Sequence, residues 1–109
     1  MGDPVWPVRM WETNDRAGGS IDDVFAALRR DVPELLIERL SATHPGDDDN
    51  VYFLGTRAHP DLVQIDTAPN GWPPFVVEAA ERLDTSDPEH AADAARIWLI
   101  AGLRAKQGS

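Results

Sequence analysis

Residues 51–78 read VYFLGTRAHPDLVQIDTAPNGWPPFVVE, and the fold turns on this stretch. Val51 to Thr56 is rich in β-branched and aromatic residues, which favour a pleated, half-buried strand. Arg57 to Asp61 breaks the run around His59-Pro60. Leu62 to Thr67 alternates, with Leu62, Gln64 and Asp66 on one face and Val63, Ile65 and Thr67 on the other. Asn70-Gly71 is a hairpin turn signal, because both residues tolerate positive φ. After Pro73 and Pro74, Phe75 to Glu78 forms another β-like run. Short strands joined by tight turns pair with their neighbours, so the stretch predicts an antiparallel meander.

Upstream, Glu34 to Thr43 admits two readings. As a helix it starts near Asp31 with Pro33 in its first turn. As a strand it puts Leu36, Glu38 and Leu40 on one face and Leu35, Ile37 and Arg39 on the other. The strand is preferred, because it leads into the turn-rich segment His44-Pro45-Gly46-Asp47-Asp48-Asp49-Asn50. Val5 to Trp11 also alternates, and Pro7 confines that strand to an edge or a bulge. Ser20 with Asp23 resembles a capping box opening a helix, with Ile21, Val24, Phe25 and Leu28 as its apolar stripe. Pro33 ends that helix. Ser86-Asp87-Pro88-Glu89 opens a second helix, either with Asp87 as cap and Pro88 at the first position or with Ser86 and Glu89 as a capping box. Ala91, Ala94, Ala95, Trp98, Leu99 and Leu103 form its apolar face, and it runs to about Arg104. Residues 1–109 therefore read as a single α+β domain, an antiparallel sheet of about four to five strands backed by two helices.

Composition narrows the function classes. The 109 residues are 42% hydrophobic and 27% charged, as in globular proteins. There are no cysteines, which removes disulfides, thiolate metal sites and cysteine nucleophiles. Nineteen acids against ten basic residues give a net charge of −9. Nucleic acid and anionic membranes are poor partners for such a chain, and a basic protein is the natural one. The N-terminus lacks the basic and apolar regions of a secretory signal, and no apolar run approaches the ~20 residues of a membrane span. The expected location is cytoplasmic.

No catalytic, metal or cofactor constellation stands out. His44, His59 and His90 lie in separate segments without metal-ligand spacing, and read as two turn residues and one first-turn helix residue. No serine sits in a nucleophile elbow. Gly18-Gly19 lacks the lysine and strand context of a phosphate loop. Asp66 and Glu78, on neighbouring strands, read as the solvent face of a sheet. The remaining candidates are partner-binding. Asp47, Asp48 and Asp49 concentrate negative charge in one predicted loop, which reads as a solvated hairpin loop with Asp49 or Asn50 tying the turn, or as an acidic patch where an approaching Arg or Lys gains from all three. Metal binding there lacks the spaced ligands and terminal Glu of a calcium loop. Trp72 lies between a turn and two prolines, as an interface anchor or as a lid folded onto the core. Trp6, Trp11 and Trp98 read as core or sheet-face residues.

Asp47-Asp48-Asp49-Asn50 before the aromatic strand Val51-Tyr52-Phe53, then Pro74-Phe75-Val76-Val77-Glu78, then Asp87-Pro88-Glu89 opening an Ala-rich helix that carries Trp98-Leu99, resemble the small acidic immunity proteins of bacterial polymorphic toxin systems. The resemblance covers roughly the second half of the chain. It implies a non-enzymatic inhibitor that binds and neutralises a cognate, often basic, toxin. Asp47, Asp48, Asp49 and Trp72 are the residues expected to meet such a partner. The alternatives are a small structural or adaptor subunit that forms a homodimer through an edge strand, and a small enzyme whose residues converge only in space.

Overall fold

The alternation in residues 51–78 builds three consecutive antiparallel strands, and three more extend the same sheet. The computed structural model describes residues 8–40 and 50–107. The elements are β1 (Val8–Met10), α1 (Ile21–Asp31), β2 (Leu36–Leu40), β3 (Val51–Gly55), β4 (Val63–Ala68), β5 (Trp72–Glu78), β6 (Arg82–Thr85) and α2 (Pro88–Gln107), with a one-turn 3-10 segment at Pro69–Gly71 between β4 and β5. The strands lie in chain order, β1 to β6, and every neighbouring pair is antiparallel. The sheet thus has six strands rather than four to five.

The addition is β6, which pairs Phe75 to Glu78 with Thr85 to Arg82. Its sequence, Arg-Leu-Asp-Thr, carries one large apolar residue and gives little strand signal. It forms because the Ala79–Glu81 turn, closed by an Ala79 N–H to Glu81 carbonyl bond of 2.8 Å, lays it against β5. Its charged, short character suits an exposed sheet edge. The ambiguous stretch after Pro33 is a strand, Leu36–Leu40, as preferred.

Period-two alternation assigns one side of the sheet to the core. Ile37, Tyr52, Leu54, Val63, Ile65, Phe75 and Val77 are buried, together with Ile21, Val24, Phe25 and Leu28 of α1 and Ala91, Ala95 and Leu99 of α2. Each large side chain so buried contributes about 1.5–3 kcal/mol. The Phe25 ring meets Tyr52 edge-on at 4.9 Å, and Trp11 meets Tyr52 at 5.5 Å, which seats α1 over β2 and β3. The small residues Ala91 and Ala95 let α2 approach the sheet closely. Leu62 does not share a face with Gln64 and Asp66. It precedes β4 and packs beside Gly102 of α2.

The two helix starts differ. Asp87 caps α2 as read, its Oδ1 accepting the Glu89 N–H at 3.0 Å, and the helix continues past Arg104 to Gln107. The expected Ser20 capping box is not made. Ser20 stands at the N-cap with no side-chain cap bond. Asp22 reaches back instead, and its carboxylate accepts the Ala17 and Gly18 N–H groups at 2.9 and 3.0 Å. The first turn of α1 thereby ties down the loop before it.

Candidate functional site

Both helices lie on one side of the sheet, so the other side is uncovered among the described residues. Paired residues in an antiparallel ladder point the same way, and the register lays out this face in two rows. One runs Met10, Glu38, Phe53, Gln64, Glu78, Arg82. In the other, Val8 pairs with Leu40, and Val51, Asp66, Val76 and Asp84 follow across β3 to β6. Apolar and charged side chains are therefore interspersed on this face, and most are half-exposed. Glu38, Asp66, Glu78 and Asp84 put carboxylates on this face. The Gln64 amide donates to Asp66 at 2.9 Å, and the Arg82 Nε donates to Asp84 at 3.0 Å. The Arg82 guanidinium holds its proton more tightly than usual, first through the Asp84 hydrogen bond and charge, with Glu78 and Asp66 adding to it.

Trp72 stands at one end of the sheet, opposite Ala68, and is 53% exposed. The turn that presents it is held from beneath. Asn70 and Gly71 both adopt positive φ, 66° and 79°. A Cβ added to Gly19 would lie 2.5 Å from the Gly71 carbonyl, and one on Gly71 would collide with Ile21. Gly19 therefore serves close backbone approach between the loop before α1 and the Asn-Gly turn, and Gly18 supplies a positive φ of 106°. Exposed as it is, Trp72 is not folded back as a lid on the core. Trp11, by contrast, is a core residue with Arg9 and Arg39 over its ring at 5.3 and 5.0 Å.

Asp47, Asp48 and Asp49 lie outside the described residues, as do Trp6 and His44. His59 occupies the turn after β3, its N–H bonded to Thr56, and His90 is exposed in the first turn of α2. Among the described residues no group of three His, Cys, Asp or Glu side chains is placed to hold a metal ion. None of their helices is long and apolar enough to cross a membrane.

A cleft of about 150 Å³ lies between the 12–19 loop and α1. Three of its polar side chains bond to the loop backbone. Asp15 accepts the Glu12 N–H at 2.7 Å, Arg16 donates to the Thr13 and Asp15 carbonyls at 2.8 Å, and Arg29 donates to the Trp11 carbonyl at 2.6 Å. Partial burial lowers the Arg29 pKa, opposed by the charges of Glu12 and Asp15. These contacts hold the loop together and tie it to α1.

The residues of the open face were mostly passed over in the sequence. Asp66 and Glu78 read only as a solvent-facing pair, and Glu38, Phe53 and Val76 as ordinary strand positions. The available signal was that Leu36 to Leu40 and Phe75 to Glu78 carry apolar residues on both faces, more than a half-solvated strand requires. No family model, curated protein or solved structure matches the chain.

Proposed function

We propose that this chain is a non-catalytic protein-binding domain, an immunity-type inhibitor that binds and neutralises a cognate basic toxin domain in the cytoplasm. The observation that carries this reading is Trp72, a large aromatic side chain held exposed on a buttressed turn beside an uncovered sheet face. Aromatic anchors of this kind dominate binding energy at protein interfaces, because their burial removes much apolar area at little entropic cost. The net charge of −9 would speed encounter with a basic partner. Asp47, Asp48 and Asp49 are the carboxylates expected to meet that partner, acting chiefly on association rate.

The test is co-expression with the product of the neighbouring gene, followed by measurement of growth rescue and of complex mass in solution. A stable complex is expected, and Trp72→Ala should weaken it by roughly tenfold or more. The paired Asp47→Lys and Asp48→Lys substitutions should slow its formation. Absence of a complex, or a complex indifferent to all three substitutions, would remove this reading.

A further inference from the structure

We infer that the uncovered sheet face is itself a docking surface for a cationic protein segment, whose Arg or Lys side chains lie across the strands with their stems on Phe53 and Val76 and their heads on the flanking carboxylates. This deepens the protein-binding reading and rests on it. The argument begins with the register. Phe53 stands between Glu38 and Gln64, and Val76 between Asp66 and Asp84. Each apolar side chain thus has a polar neighbour one strand away, about 4.8 Å in the hydrogen-bonding direction. That spacing matches a side chain with an apolar stem and a charged tip, which gains on both parts. Arg and Lys are the side chains built this way with the sign that this face requires.

The charge balance selects the occupant. Among the described residues the strands give this face Glu38, Asp66, Glu78 and Asp84 against the single guanidinium of Arg82, which Asp84 already engages. A second copy of the chain, brought face to face, would set these carboxylates against their own counterparts. Like charges so juxtaposed repel, so the apolar content of the face does not lead to self-association. Nucleic acid meets the same repulsion. A protein segment with alternating basic and apolar residues has the complementary pattern.

The test uses the full chain, isotopically labelled, titrated in NMR with a synthetic peptide of alternating Arg and Leu. Backbone shifts are expected at Glu38, Phe53, Asp66, Val76 and Glu78, with few on α2. Neutralising the face by Glu38→Gln, Asp66→Asn and Glu78→Gln should weaken binding by roughly tenfold, since each exposed charge contributes little alone. A control triple, Asp61→Asn, Glu89→Gln and Asp93→Asn, removes equal charge elsewhere and should leave affinity nearly unchanged. Both triples keep side-chain size, and their spectra report whether the fold is intact. No binding, shifts centred on the helices, or equal weakening by the control would overturn the proposal. The toxin complex separates it from the immunity reading. A complex that ignores the face triple leaves that reading standing and removes the surface. Peptide binding at the face with no toxin complex does the reverse.

Discussion

Gly71 sits at φ 79°, with Ile21 where its side chain would go, and Gly19 presses on its carbonyl from the neighbouring loop. Neither position has room for a methyl group, and Gly71 adds the backbone cost of a left-handed conformation. Gly71→Ala should therefore lower unfolding stability by about 2 kcal/mol or more, read from urea denaturation. A loss under about 0.5 kcal/mol would show that the two loops separate easily. Trp72, the next residue, should behave in the opposite way. Its side chain is half in water, so Trp72→Ala should leave stability within about 0.5 kcal/mol while removing much of the binding. The contrast between neighbours separates a residue that builds the turn from the residue that the turn presents.

The two helices test capping at the scale of elements. Asp87 accepts a backbone N–H at the start of α2, and Ser20, in the corresponding place on α1, has no side-chain cap bond. Asp87→Ala should cost about 1 kcal/mol, whereas Ser20→Ala should cost only a few tenths. Asp22→Ala should cost more than Ser20→Ala, because it releases the Ala17 and Gly18 N–H groups together. Urea titrations of the three variants settle the order, and a larger loss at Ser20 would contradict the observed bonding. Helix periodicity was legible in both segments. The choice of cap on α1 was not, because it depends on the 12–19 loop folding back to within reach of Asp22. The edge strand β6 was hidden for a related reason. With Leu83 as its one large apolar residue, it takes its conformation from pairing with β5 rather than from its own pattern.

At the scale of the molecule, one core joins the inner face of the sheet to both helices, and Phe25 lies where α1, Trp11 and Tyr52 meet. Phe25→Ala should cost about 3–5 kcal/mol. Against a total stability of about 5–15 kcal/mol for a typical domain, that leaves little reserve, and a thermal melt should show a large drop in Tm. The site was less legible than the core. Trp72 could be picked out as an aromatic among turn residues, but its two orientations were equivalent until the Gly19–Gly71 contact fixed the turn. Glu38, Phe53, Asp66 and Val76 lie far apart in the chain and become one surface only through strand pairing. What the sequence by itself determined was local. Period-two and helical spacing are imposed by backbone geometry, so they identified both helices and the strands other than β6. Which side of the sheet the helices cover was decided only in the tertiary structure. That choice depends on how the loops before α1 and α2 direct their helices and on the joint fit of Phe25, Tyr52, Ala91 and Ala95. No local pattern encodes such a fit, and it is what leaves the opposite face without a helix among the described residues.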